Sequence, residues 1–529
     1  TGKFQVTGEG AEGAGAGGGA PADNSEEIAF LHLAYPPSAQ WQWVRLRKFE
    51  ESWEVIKPDA FFMGTFAGGT EMAIAALRYF RDDPEAELPI ESGAKWGEEI
   101  SVGQVEGRVA AAAAVDLDGG GGPLTLFIAS DAGDRLLRWR EKAFEDLTSA
   151  RELASQSRYF AFGDFTGDGR LDLASWDGRR IRIWAQEGNG KFSAVGDSGD
   201  DIADCLGLSA LDAGAGRASL LISAKDAPII ATVAADGSWA FAPLPPGEVS
   251  DLGEPAAALA ADFDGDGQTD ILRLFAAGSR FYKGEALGRF VAPVAAGPGK
   301  GRGRYAACIG DFDHNGLPDI FTVAEDGNRL WHNDGGGRFS QMLSLCGEVP
   351  YIAKPEGIAT AAVDFNNDGR QDLFIAYSGL LPHLFFNRGF RSFGHARDVD
   401  LGVQSRLAVA AQGQQAGALA DLNGDGVQDM ALVLRDGAVW VLWGQANERA
   451  LAVSAYLPAK APSAGPVMVR AKRFERELGV LPVSPGGTAF FGARQPGPIT
   501  VSWRFPGAAQ QHKELVLEAD PVRFNLAEP

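Results

Sequence analysis

Five acidic nonapeptides fix most of what this 529-residue chain can fold into: DFTGDGRLD from Asp164, DFDGDGQTD from Asp262, DFDHNGLPD from Asp311, DFNNDGRQD from Asp364 and DLNGDGVQD from Asp421. Oxygen-bearing side chains recur at positions 1, 3, 5 and 9. They are Asp164, Thr166, Asp168 and Asp172; Asp262, Asp264, Asp266 and Asp270; Asp311, Asp313, Asn315 and Asp319; Asp364, Asn366, Asp368 and Asp372; and Asp421, Asn423, Asp425 and Asp429. Position 6 is always Gly, the residue that tolerates positive φ in a tight turn. Hard oxygen donors at alternate positions around such a turn are the inventory of a Ca²⁺ loop. Position 7 (Arg170, Gln268, Leu317, Arg370, Val427) would add its backbone carbonyl, so the set predicts about five Ca²⁺ ions.

An EF-hand opens the same way but needs a bidentate Glu at position 12 and a flanking helix on each side. Position 12 here is Ser175, Arg273, Thr322, Ile375 or Leu432, and none can ligate as a carboxylate. The flanks are short apolar runs such as AACIG before Asp311 and IFTV after Asp319, so each loop is expected to join two strands. Asp, Asn and Gly also form ordinary turns, but five copies of one template are not five independent turns. The apolar residue at position 2 (Phe165, Phe263, Phe312, Phe365, Leu422) is expected to anchor each loop in the core. By carboxylate count Asp262–Asp270 should bind most tightly, and the loops with Thr166 and Asn315 more weakly.

Two further copies keep the strands and lose the ligands. VDLDGGGGPLTLFIAS places Asp116 and Asp118 in register and ends on Leu124, while LDAGAGRASLLIS places Asp212, Gly214 and Gly216 in register and ends on Leu220. Starts at 116, 164, 212, 262, 311, 364 and 421 give spacings of 48 to 57 residues. A period near 50 with about four short strands per unit predicts an all-β, seven-bladed β-propeller, and fits a linear β-solenoid worse. MGTFAGGTEMAIAAL from Met63 is a fainter echo without carboxylates and would make an eighth blade. Within repeats, an aromatic is followed by Gly and Phe (Trp184, Gly188, Gly190, Phe192; Tyr282, Gly284, Gly288, Phe290; Trp331, Gly335, Phe339), which reads as hairpin turns and blade packing.

The net charge of −22 disfavours nucleic acid or an anionic membrane as partner. Clustered carboxylates without an ion would repel, so metal and fold should be coupled. No run of 18 apolar residues supplies a membrane span. Three cysteines without CxxC spacing (Cys205, Cys308, Cys346) support neither a disulfide scaffold nor a zinc site, and Cys308 reads as a buried thiol. The chain begins at Thr1 with neither Met nor a leader, as a mature form would. Extracellular loops of this kind are tuned to roughly 0.1 to 1 mM Ca²⁺, so the expected compartment is extracellular, periplasmic or the cell surface.

The nonapeptide followed by an aromatic, Gly and Phe resembles the FG-GAP or VCBS repeat, a family whose fold is a propeller with Ca²⁺ on blade loops. Phe491, Gly492 and ITVSWRFPG from Ile499 to Gly507 resemble the small ASPIC/UnbV β-domain that follows such repeats in cartilage-acidic-protein-like secreted proteins, and FEDLT from Phe144 resembles an inter-blade phrase of that family. The resulting expectation is a flexible Gly/Ala/acidic tail over 1–27, a β segment or partial blade over 28–100, the propeller over 101–460 and an ASPIC/UnbV-like β-domain over 465–529.

No GxSxG elbow and no HExxH is present, and the six histidines (His32, His314, His332, His383, His395, His512) read as surface or loop residues. GPGKGRGR from Gly297 to Arg304 reads as a solvated turn. The densest carboxylates are assigned to Ca²⁺, which leaves no clear acid/base pair. The favoured expectation is a non-catalytic binding or assembly module recognising a protein or glycan at the cell surface. The alternative is a polysaccharide-acting, lyase-like enzyme on a calcium propeller scaffold.

Overall fold

The computed structural model describes residues 95–529 except 215, 235, 248–251, 287, 390–391, 397–412, 446–450, 475 and 529, together with the backbone of four strands between residues 4 and 57. The echo at Met63 and most of the expected tail lie outside the described residues. Phe4–Val6, Glu26–Tyr35, Ser38–Phe49 and Ser52–Lys57 pair in sequence as one antiparallel sheet.

From residue 95 the repeat prediction becomes seven four-stranded antiparallel sheets among the described residues. We number them blades 1 to 7 by their first strands: Val109–Val115, Tyr159–Gly163, Cys205–Asp212, Pro255–Ala261, Tyr305–Gly310, Gly357–Val363 and Gln414–Ala420. Every repeat loop joins the first strand to the second, as the flanking apolar runs predicted. The outer strand of blade 7 comes from far upstream: Lys95–Gln104 pairs antiparallel with Ala438–Gln445, so the two ends of the propeller segment are latched in one sheet.

Six of the seven second strands are buried along their whole length and that of blade 3 along all but its last residue, Ala224, because alternate residues face opposite neighbouring blades. Leu126 and Ile128 pack with blade 7, whereas Phe127 and Ala129 pack with blade 2. Leu373 and Ile375 join the blade 5 cluster, whereas Phe374 and Ala376 join that of blade 7. Seven apolar clusters of this kind link blades 1–2, 2–3, 3–4, 4–5, 5–6, 6–7 and 7–1, which closes the ring. First strands such as VAAAAAV, PAAALAA and GIATAAV are built from small residues. Neighbouring first strands approach closely: a Cβ on Gly310 would stand 2.7 Å from that of Ala362.

Two sheets follow the propeller. Leu451–Tyr456 lies between Thr488–Ala493 and Val522–Asn525, and the other sheet runs Arg476–Val483, Val467–Arg473, Gly497–Arg504, Gln511–Leu517. They enclose their own core around Trp503, Phe491, Phe505 and Val469. This sandwich begins with Leu451, ahead of Gly465, and the sheet latching the ring begins at Lys95.

The expectations for the basic segment and for Cys308 need correction. The Gly297–Arg304 segment is not simply a solvated turn, because Lys300 is only 2% exposed. Its ammonium donates to the Gly303 carbonyl (2.8 Å), pairs with Glu254 (3.3 Å) and lies over the Tyr305 ring. The three cysteines are free thiols, and Cys308 is half-buried beside Thr360. No helix among the described residues is long and apolar enough to cross a membrane.

Candidate calcium loops

The position-2 anchors Phe165, Phe263, Phe312, Phe365 and Leu422 are all 2% exposed or less, so each loop is pinned from below. Above them, the first carboxylate accepts backbone N–H groups from its own loop. Asp164 accepts Gly167 (2.7 Å) and Gly169 (2.8 Å), Asp262 accepts Gly265 and Gly267 (both 2.7 Å), and Asp421 accepts Gly424 (2.7 Å) and Gly426 (3.1 Å). Asp311 accepts Asn315 (3.0 Å) and Gly316 (2.9 Å), and Asp364 accepts Asp368 (3.1 Å) and Gly369 (2.9 Å). The position-5 side chains of Asp168, Asp266, Asn315, Asp368 and Asp425 each accept the N–H of position 7, namely Arg170, Gln268, Leu317, Arg370 and Val427.

Position 6 has the left-handed backbone expected, with φ between 80° and 86° at Gly169, Gly267, Gly316, Gly369 and Gly426. Position 4 is left-handed too, at Gly167, Gly265, His314 (62°), Asn367 (55°) and Gly424. The motif reading did not identify this second constraint. Its signal was the restriction of position 4 to Gly, His and Asn, residues that enter this region at least cost.

The last Asp is tied to the third strand or, in blade 4, to the residue two beyond its end. Asp172, Asp270, Asp319, Asp372 and Asp429 accept the backbone N–H of Gln186 (3.0 Å), Gly284 (2.8 Å), Asn333 (2.8 Å), Asn387 (2.7 Å) and Gly444 (3.0 Å). Burial pushes these carboxyls up, Asp172 and Asp270 to about 7 and Asp429 to about 8, with neighbouring carboxylates adding to the rise. Asp311, Asp319 and Asp372 are raised for the same reasons. Buried, mutually repelling carboxylates fit a bound divalent cation, which would neutralise them in place. Donor atoms of Asp262, Asp264 and Asp270 lie within 4.8 Å of one another, as do those of Asp313, Asp319 and His332.

Protein cations also reach the loops. Lys283 donates to Asp264 and to Asp266 (2.6 Å), Arg170 to Asp168, and Arg370 to Asp368 (2.9 Å). His332, expected to be a surface or loop residue, is instead 12% exposed against Asp313 and Asp319. Lys283 and His332 occupy the same place in their blades, 13 residues after the last Asp and one before the N–H donor to it. That fixed offset is the sequence signal that would have found them. In ligand-poor blade 1, Arg138 (2.6 Å) and Arg151 (2.8 Å) neutralise Asp118 and hold its carboxyl below the usual range.

The sandwich covers this loop face. Gly492 N–H donates to Asp364 (2.8 Å), Ala464 N–H to Asp212 (3.2 Å), and Asp116 N–H to the Gly486 carbonyl (2.8 Å). Four arginines of the sandwich act alongside them: Arg476 and Arg504 donate to the carbonyls of Asp368 and Asp266 (both 3.0 Å), Arg470 to that of Gly316, and Arg523 to the Asp421 carboxylate (3.0 Å). Arg523 also donates to the Gly121 and Gly122 carbonyls, so one guanidinium spans blades 7 and 1. Beside it lies a cavity of about 140 Å³ lined by Asp116, Asp421, Tyr456, Thr488 and Phe490.

The family described as FG-GAP-like repeat matches residues 262–322, 311–375 and 364–432, three spans that each begin on the first Asp of a loop. The chain therefore carries FG-GAP-like repeats on a propeller-like, all-β structure. No curated protein matches the sequence. Among solved structures, the chain is similar to an Agrocybe aegerita lectin described as recognising non-reducing terminal N-acetylglucosamine, at 18% identity and a TM-score of 0.42, covering 56% of this chain and 82% of that one. It is also similar to BBS1N in complex with ARL6DN, at 12% identity and a TM-score of 0.41, covering 67% of this chain and 98% of that one.

Proposed function

We propose that the chain is a non-catalytic, calcium-clamped binding or assembly module of the extracellular, periplasmic or cell-surface space that recognises a protein or glycan. The observation that carries this reading is the shared loop architecture: buried carboxylates raised by burial and mutual repulsion, on a face to which the C-terminal sandwich is fastened. In this reading Ca²⁺ neutralises the loops and the sandwich caps them, with 95–445 as propeller and 451–526 as cap. The cap is the segment whose Phe491–Gly492 and Ile499–Gly507 stretches resemble ASPIC/UnbV. Chemistry supplied by the ions is electrostatic clamping, while Asp164, Asp262, Asp364 and Asp421, with their positions 3, 5, 7 and 9, would hold them.

Since the loop face is covered, the partner meets the opposite face, where Tyr159 (38% exposed) and Leu380 (44%) stand at a first-strand start and a second-to-third-strand turn. Titration calorimetry with Ca²⁺, paired with thermal melts in chelator, tests the clamp: several Ca²⁺ bound in the 0.1 to 1 mM range and a markedly lower Tm on chelation are expected. Full thermal stability in chelator, with no heat of Ca²⁺ binding at millimolar concentration, would sink the reading. For recognition, Tyr159→Ala should weaken partner capture on glycan arrays or from extracellular fractions without moving Tm.

A further inference from the structure

The donor set of the blade 5 loop differs from the other four. In blades 2, 4, 6 and 7 the residue directly before the N–H donor to the last Asp is Ala185, Lys283, Phe386 or Trp443, none of which offers a lone pair to a metal at neutral pH. In blade 5 it is His332, whose Nδ1 stands 3.1 Å from Asp319 Oδ1 and 3.3 Å from Asp313 Oδ2. Both carboxylates are buried, with side chains 0% and 3% exposed.

These separations suit a small ion. Donors at 2.0–2.1 Å from a metal are about 3.0 Å apart at octahedral edges and about 3.4 Å apart at tetrahedral ones. Calcium prefers oxygen at 2.3–2.6 Å and gains little from an imidazole, whereas nitrogen donors favour borderline cations. The far side of the ring fits the same role: Nε2 faces Asp334 Oδ1 at 3.6 Å, and the Ser340 hydroxyl donates to the other oxygen of Asp334. Metal-bound imidazoles are commonly oriented by such an outer carboxylate. Position 5, the neutral Asn315, further reduces the charge the loop offers to Ca²⁺.

We propose that the blade 5 loop is a mixed nitrogen and oxygen site for a borderline divalent cation of the Mn²⁺, Co²⁺ or Zn²⁺ kind, held by Asp313, Asp319 and His332, and not a fifth Ca²⁺ site. This rests on the reading of the blade loops as cation sites. The test uses the full chain, stripped of metal, saturated with Ca²⁺ and then titrated with Co²⁺ and Zn²⁺. One equivalent of Co²⁺ should bind with a saturable visible absorption band of nitrogen ligation, Zn²⁺ should displace it, and bound Ca²⁺ should stay unchanged. His332→Gln should lose that equivalent and the band while retaining Ca²⁺ at the other loops. His383→Gln should keep both, which separates the site from the His383–His395 pair, whose rings are 5.0 Å apart. Absence of the band in the unsubstituted protein, displacement of Ca²⁺ one-for-one, or an undiminished equivalent in His332→Gln would each overturn the proposal while the calcium reading stands. Failure of every loop to bind any cation would overturn both.

Discussion

At the level of single residues, the blade 4 loop shows how a carboxylate count misleads. Asp262, Asp264, Asp266 and Asp270 are the richest set of candidate ligands among the five loops, yet Lys283, just past the third strand, engages two of them. The two carboxylates raise the ammonium's pKa well above its ordinary value, so it stays charged and must be displaced by an incoming ion. Lys283→Met is therefore expected to raise Ca²⁺ affinity at this loop about tenfold, equivalent to ~1.4 kcal/mol, as read by calorimetry on the full chain. An unchanged or weaker affinity would show that the lysine does not compete. The Asp, Gly and Phe pattern was legible because those residues act within nine positions of one another. Lys283 and His332 were legible only as a shared offset of 13 residues from the last Asp, and the folding of the chain back over the loop gives that offset its meaning.

Among elements, the loops and second strands carry opposite demands. The second strands want both faces apolar, and their unbroken runs were readable as buried strands. The loops bury acid, and that cost appears in the raised carboxyls of Asp172, Asp270 and Asp429. A carboxyl whose folded pKa is raised favours the folded state when protonated, so this contribution is complete below about pH 4, the unfolded value, and is lost as pH climbs through 7 to 8. Without metal, Tm should accordingly fall between pH 5 and pH 8, and millimolar Ca²⁺ should flatten or reverse that slope. A metal-free melt that rises over the same interval would contradict the assignment of burial as the dominant cause. First strands show a further element-level rule: small residues such as those of VAAAAAV let seven strands crowd around one axis.

For the whole molecule, the ring is closed at one seam by several unrelated devices. Lys95–Gln104 completes blade 7, Trp443 packs against Trp139 (4.6 Å) and Phe144 of blade 1, and Arg523 of the sandwich bridges the blade 7 and blade 1 loops. Arg523→Ala removes three donated hydrogen bonds across the seam and leaves Asp421 without that partner. It is expected to cost about 1.5–3 kcal/mol, measured by denaturant unfolding, and to speed proteolytic release of the sandwich. No change in either would show that the strand latch alone holds the ring. The chain by itself determined the repeat, its period of about 50, the seven strand–loop–strand units and the oxygen-rich loops, because each is written in neighbouring residues obeying a local periodicity. Which loops are met by an arginine of the sandwich, which face is covered, and where the ring is latched depended on contacts between residues up to hundreds of positions apart. Such contacts leave no local pattern, so only the tertiary structure decided them.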